Sequence, residues 1–327
     1  MKAHPKIIDR ILAAVGEHET FCVVGHQRPD GDCIGSQLGL TLALQAAGKK
    51  VWCWNQDPLP QKYRFLDPDK VITTPKAGME FDCVIATDAA SFERLGEVGK
   101  HIGKRKLFIN IDHHESNTRY ADLNWVSERE PSTGELIFRL LKVARWPITK
   151  PIADLLFTAI STDTGSFQYA TTRPGTFHAG ADLVTRGADL AHICNEVYQS
   201  YPVSRARLLK LLYSKFKLTH DDRIAYFWLK KAALARTGAE SNDTEGLIDH
   251  IRAIEPVVVA CVFEELEPEL TRISLRSKTD KVNVSEICAL FGGGGHCAAA
   301  GARIPGRPLT VQRRVIAAIR KAINRAK

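Results

Sequence analysis

Four short apolar runs, Phe21–Gly25, Val51–Trp54, Phe81–Thr87 and Lys106–Ile111, alternate with helical periodicity through the first half of this 327-residue chain. Runs this short and this apolar fit strands buried on both faces. Separated by helical stretches, they predict a mainly parallel sheet covered by helices. Helices are expected over Ile34–Ala47, Thr133–Ala144, Ile152–Ser161 and Gly175–Arg186, the last starting after Pro174 and stopped by Gly187. Residues 188–215 read as a helical linker that Pro202 interrupts, amphipathic from Ser204 to Phe216. A second α/β pattern then begins, with strands at Ile224–Leu229, Val257–Phe263 and Leu270–Leu275 and a helix over Thr244–Ile254. The expected fold class is α/β, in two domains of 1–187 and 216–327 joined by 188–215.

Composition narrows the function classes. With 44% hydrophobic and 25% charged residues, the chain is neither disordered nor fibrous. No uncharged stretch approaches the roughly 20 residues that span a bilayer, so no membrane partner is expected. Met1–Phe21 carries charge throughout and lacks the apolar run of a secretory signal. The eight cysteines form no C-x-x-C pair, which argues against a zinc ribbon or disulfide scaffold and for free thiols in a reducing cytoplasm. Charge is uneven: residues 1–200 carry a net −1 and residues 201–327 a net +9. The second half is thus expected to meet something anionic. Its last stretch, Arg307–Lys327, holds seven basic residues and no acid, on one face of a helix whose other face carries Val311, Val315, Ile316 and Ile319. That face is either a solvated surface or a contact.

The chemistry lies in acids and imidazoles at strand ends. His26, Asp30 and Asp32 sit in a Pro- and Gly-containing loop directly after the first strand. Alone, they read either as metal ligands or as a turn with helix-capping carboxylates. Asp88 follows the third strand and Asp112-His113-His114 ends the fourth, while Asp163 lies where a helix yields to a Gly-containing turn. Ligands of open α/β sheets bind at the carboxyl ends of the strands. Taken together, the four segments bring Asp30, Asp32, Asp88, Asp163, His26 and His113 to one place. Four carboxylates there repel one another, and two divalent cations would cancel them. Oxygen-rich sites with one or two imidazoles suit Mn²⁺, with Mg²⁺ as the alternative, better than Zn²⁺, and no cysteine is expected to join. Two such cations roughly 3.5–4 Å apart activate water and clamp the oxygens of an in-line displacement at phosphorus, so hydrolysis of a phosphate ester or anhydride is expected. No glycine-rich nucleotide loop follows the first strand.

These segments, in this order, resemble the four motifs of the DHH phosphoesterase superfamily. Gly292–Gly295 followed by His296-Cys-Ala-Ala-Ala-Gly301 resembles the signature of the DHH-associated C-terminal domain. Size and layout are similar to the NrnA-type oligoribonucleases, or nanoRNases, which also act on 3′-phosphoadenosine 5′-phosphate. The resemblance implies one cation on His26, Asp30 and Asp88 and a second on Asp32, Asp88, His113 and Asp163, with Asp88 bridging. It implies that His114 contacts the scissile phosphate and that Asp112, unless it merely caps a turn, orients an imidazole. It makes Arg276, Gly293, Gly294, Gly295 and His296 substrate-binding. The glycines read either as a nest for an anion, reinforced if a short helix starts near His296, or as a flexible turn.

The implied substrates are short RNA, dinucleotides and 3′-phosphoadenosine 5′-phosphate, and a homodimer is compatible with the family. The alternatives on this scaffold are a cyclic or linear dinucleotide phosphodiesterase and an inorganic pyrophosphatase, whose second domain would use a basic Arg-Lys-Lys-type segment. From another class comes a nucleotide or RNA binder without catalysis.

Overall fold

A computed structural model describes residues 6–326, apart from the side chains at 241 and 242. Residues 1–5 and 327, which end the charged N-terminal and basic C-terminal stretches, lie outside the described residues. The chain divides into two compact units, Met1–Ser200 and Tyr201–Lys327.

The first unit runs α1 (Lys6–Glu17), β1 (Thr20–Val24), α2 (Gly31–Ala46), β2 (Lys50–Trp54), β3 (Ile72–Thr73), β4 (Phe81–Thr87), α3 (Glu97–His101), β5 (Arg105–Asp112), β6 (Leu123–Val126), α4 (Thr133–Ala144), α5 (Lys150–Asp163), α6 (Pro174–Thr185) and α7 (Leu190–Cys194). Its six strands are all parallel, in the order β3-β2-β1-β4-β5-β6. The chain therefore reverses direction across the sheet between β1 and β4, which creates a crevice at their carboxyl ends.

Alternation along the strands fills both faces. Phe21 and Val23 of β1 join the larger core with α1, α2, α4 and α5. Cys22 and Val24 join a second core with Trp54, Val84, Phe108, Leu95 and Val98. The six thiols of Cys22, Cys33, Cys53, Cys83, Cys261 and Cys288 are buried, and all eight cysteines are free.

The loop after β1 is held by α2, which is buried around its whole circumference from Gly31 to Thr41. It starts three residues before the expected Ile34 because Asp30 caps it, accepting from the Cys33 amide at 3.0 Å. α2 packs closely on α5 through Gly35, where any side chain would overlap the Leu155 carbonyl oxygen and crowd Ala159.

The second unit runs α8 (Val203–Lys215), β7 (Lys217–Thr219), β8 (Ile224–Leu229), α9 (Lys231–Thr237), α10 (Leu247–Arg252), β9 (Val259–Glu267), β10 (Leu270–Ser277), α11 (Val284–Ala289), β11 (Gly294–His296), β12 (Ala299–Pro305) and α12 (Pro308–Arg325). Its sheet has the order β11-β12-β10-β9-β8-β7 and is antiparallel except for the β8–β9 pair. α11 and α12 cover one face through Val284, Val311, Val315 and Ile319. α8, α9 and α10 cover part of the other through Leu208, Ala233 and Ile248.

No helix starts near His296, so the condition for a reinforcing helix N-terminus is not met; the glycine run leads into β11, half of a hairpin with β12. The reason is steric. A side chain at Gly293 would overlap the Gly301 carbonyl and Ala302, and Gly295, at φ +145°, sits against Ala299 and Ala300. The glycines serve close strand approach instead of a helix start. No described helix is long and apolar enough to cross a membrane.

The α2–α5 contact supports the loop that carries His26 and Asp30, so Gly35→Val is predicted to lower stability by about 3 kcal/mol or more, the upper range for overpacking. Urea unfolding checks it. A loss under about 1 kcal/mol would mean that α2 can shift away from α5.

Candidate metal centre

The central strands β1, β4 and β5 deliver the predicted residues to one crevice. His26 lies just past β1 and is 3% exposed. Its Nδ1 is 2.8 Å from the Gln27 carbonyl oxygen, which leaves Nε2 to face the crevice. There Nε2 is 3.7 Å from Asp30 Oδ1 and 3.4 Å from Asp88 Oδ2.

Asp88 is the hub. It follows β4 in a left-handed conformation (φ +59°), a strained choice for a non-glycine residue, and its amide donates to the Ile111 carbonyl at 3.0 Å. Its two oxygens face different partners. Oδ2 faces His26, while Oδ1 lies 3.6 Å from His113 Nε2 and accepts from the Thr133 hydroxyl at 3.0 Å.

Asp32, in the first turn of α2, sits against the start of α4. Its Oδ2 accepts from the Thr133 amide at 2.7 Å and its Oδ1 from the Gly134 amide at 2.8 Å. Ser36 adds a third donor at 3.1 Å. Asp163 ends α5 and approaches His113 Nε2 to 3.1 Å, with Asp32 Oδ2 at 3.8 Å from the same nitrogen. A carboxylate at a helix C-terminus opposes the helix dipole, so its place there needs a compensating positive charge.

His114 Nδ1 is 2.8 Å from Asp112 Oδ1. Asp112 is fully buried, and its other oxygen accepts from Asn117 at 2.6 Å, while Asn117 also donates to Asn110. Asp112 thus holds His114 by its inner nitrogen, and an asparagine pair holds Asp112.

The electrostatics of the cluster suit divalent cations. Burial, together with Asp88, Asp163 and Asp30, pushes Asp32 well above the usual carboxylate range. Burial, Asp30 and Asp88 do the same to Asp163. Burial holds His113 below the ordinary imidazole range, in the neutral form that a cation needs. For His114 burial opposes charge, but Asp112 and Asp88 outweigh it and lift the group to about 9. Burial opposes charge on Asp30 and Asp88 too, but His26 outweighs it for both, joined by His114 and His113 for Asp88, and holds the two below the usual carboxylate range. Acids and imidazoles packed this closely form a donor set that suits divalent cations.

Three donor groups converge closely enough to hold an ion: Asp32, His113 and Asp163; Asp88, His113 and His114; and His26, Cys33 and Asp88. The last brings Cys33 within reach of His26 and Asp88. Cys33 follows Asp32 in the first turn of α2 and tucks its thiol beneath the His26 backbone; burial pushes that thiol up, so it stays protonated. The sequence reading also missed Thr133, Gly134, Asn110 and Asn117. Thr133 and Gly134 act on Asp32 and Asp88 from a distant segment, while Asn117, itself bonded to Asn110, acts on the nearby Asp112; only Thr133, at the expected helix start, carried any signal.

The second unit places the remaining predicted residues side by side. Arg276 on β10 and His296 on β11 both pair with Ala299 on the intervening β12. Residues in register on adjacent strands share a face, so the two stand on one face of the sheet, about 10 Å apart. Gly294 and Gly295 pair with Gly301 and Ala300 beside them.

Comparison with known proteins agrees with this construction. Residues 20–160 match the model of the DHH family, N-terminal domain, and residues 221–326 that of the DHHA1 domain. The chain is 32% identical over 323 residues to the bifunctional oligoribonuclease and PAP phosphatase NrnA of Thermus thermophilus, covering 98% of this chain and 95% of that one. It is 26% identical over 299 residues to the protein of the same name from Bacillus subtilis, covering 90% and 92%. The crystal structure of an exopolyphosphatase-related protein from Bacteroides fragilis superposes with a TM-score of 0.91 at 27% identity, over 100% of this chain and 99% of that one. On its motifs, its two-domain coverage and these full-length relatives, the chain belongs to the DHH family of phosphoesterases and is NrnA-like along nearly its whole length.

Proposed function

We propose that this protein hydrolyses short oligoribonucleotides to mononucleotides and 3′-phosphoadenosine 5′-phosphate to AMP, using two Mn²⁺ ions, with Mg²⁺ as the alternative. The observation that carries this reading is Asp88, whose two oxygens face His26 on one side and His113 on the other. A carboxylate so placed could be shared by two cations. The full-length relatives named oligoribonuclease and PAP phosphatase supply the substrate class.

His26, Asp30 and Asp88 would hold one ion, and Asp32, Asp88, His113 and Asp163 the other. Bound there, the pair would supply Lewis acidity to activate a water and to neutralise charge on the phosphoryl oxygens. The chain's own residues do the rest. The Thr133 and Gly134 amides fix both oxygens of Asp32, and the Thr133 hydroxyl fixes Asp88. Asp112 sets the ring of His114 so that its outer nitrogen meets the scissile phosphate and can donate to the leaving oxygen. Arg276, a planar fork of donors, and His296 bind a second phosphate of the substrate, and Gly293, Gly294 and Gly295 let the nucleotide approach the backbone. The free thiols agree with a reducing cytoplasm.

Three outcomes follow from these roles. Asp88→Ala should abolish metal-dependent hydrolysis of a dinucleotide and lower bound manganese, measured by elemental analysis after desalting; full activity would remove the bridging role. Asp112→Ala should leave both ions bound and reduce kcat by about 10- to 100-fold, the range for partners that orient a catalytic or ligating imidazole, with KM nearly unchanged; an unaltered kcat would leave His114 without its positioning residue. Arg276→Ala or His296→Ala should raise KM or lower kcat on dinucleotides with metal content intact, and metal loss in either variant would contradict the division of roles.

A further inference from the structure

The function proposed above leaves the terminal helix unused. α12 buries Val311, Val315, Ile319 and Ile323 at no more than 3% exposure against Phe263, Ile273 and Leu275 of the second sheet. Its outer side carries Arg313, Arg314, Ala317, Arg320, Lys321, Asn324 and Arg325, all exposed. At 100° per residue these seven positions fall within an arc of about 140°. Five are cationic, and the sequence holds no acid after Glu286. None of the five takes part in the described ion pairs; Arg314 lies over the Phe291 ring at 5.4 Å. Arg320, Lys321, Asn324 and Arg325 frame a shallow depression of about 470 Å³ floored by Ala317. Like charges along a helix face repel one another, and the helix itself carries no acid; Asp280 and Glu286 share a neighbouring depression with Lys321 and Arg325 at its C-terminal end, which leaves the row from Arg313 through Arg314 to Arg320 standing ready for a polyanion.

This face is separate from the Arg276–His296 pair. Leu275 points into the core beneath α12, so its neighbour Arg276 stands on the opposite face of the sheet.

We propose that the exposed face of α12 is an accessory surface that binds the phosphate backbone of single-stranded RNA longer than the dinucleotides cut at the metal centre. Its basic span from Arg313 to Arg325 is about 18 Å, enough for about five nucleotides of a stacked strand. Guanidinium forks suit phosphate oxygens, and four of the five cations are arginines. An anionic membrane is the poorer fit, because a helix lying on lipid inserts an apolar face and the apolar face of α12 is occupied by the sheet. The identity of the polyanion rests on the reading of the chain as an oligoribonuclease; the charge and geometry of the face do not.

The test compares the full-length manganese-loaded protein with Arg313→Glu/Arg320→Glu/Arg325→Glu and with the charge-conserving Arg313→Lys/Arg320→Lys/Arg325→Lys. Anisotropy of a labelled 20-nucleotide phosphorothioate RNA is measured across a salt series, beside hydrolysis of an RNA dinucleotide. The Glu variant should bind at least about tenfold more weakly, with its log K against log salt slope reduced by about 2, from three contacts at roughly 0.7 each. The Lys variant should stay within about twofold of wild type, and dinucleotide hydrolysis should be unchanged in both. Wild-type affinity and slope in the Glu variant would overturn the proposal, as would tighter wild-type binding to vesicles containing 30% phosphatidylserine than to the RNA. A wild-type protein that binds the 20-mer through α12 yet cuts no dinucleotide would sink the oligoribonuclease reading and leave the surface standing.

Discussion

Repulsion among buried carboxylates is the constraint around which the first unit is organised. Asp32 and Asp88 are almost wholly buried, and Asp163 joins them at the end of a helix whose dipole disfavours an acid. Each raises the cost of ionising its neighbours. The chain meets part of that cost with neutral donors: two amides at the start of α4, the hydroxyls of Ser36 and Thr133, and the Cys33 amide at the start of α2. Hydrogen bonds hold the carboxylates in position, and the imidazoles of His26 and His114, held above their ordinary range by the acids beside them, offset part of the charge. A parallel sheet with a reversal between β1 and β4 gathers so many acids at one edge, because adjacent strands end together there.

The parts of the molecule that were legible in the sequence share a physical signature. Phe81–Thr87 and Ile224–Leu229 are uninterrupted apolar runs, and both form strands over those residues. Thr133–Ala144 shows helical periodicity behind a Ser cap and forms a helix with those bounds. The crevice was legible because Asp and His recur directly after such runs, where the chain must leave the sheet. Strand β6 and helix α1 escaped notice because Leu123–Val126 is only four residues long, with Asn124 inside it, and Lys6–Glu17 mixes its apolar positions with charge.

What the sequence hid depends on tertiary contact. Thr133 and Gly134 lie a hundred residues from Asp32 and meet it only because α2 and α4 pack together. Asn117 matters through Asp112, and nothing about an isolated Asn says so. The glycine run was ambiguous for a related reason: glycines permit both an anion nest and a close strand approach, and the contacts of Gly293 with Gly301 and Ala302 appear only in the folded hairpin. Cys33 shows the converse: its place after Asp32 put it beside the ligands, but a thiol in an apolar stretch reads as core.

The account stands or falls on paired cations sharing Asp88. Low-temperature electron paramagnetic resonance of the protein titrated with Mn²⁺ tests it most directly. The prediction is an exchange-coupled manganese pair once two equivalents are bound. A spectrum of isolated, uncoupled Mn²⁺ at saturation, with a stoichiometry of one, would contradict it.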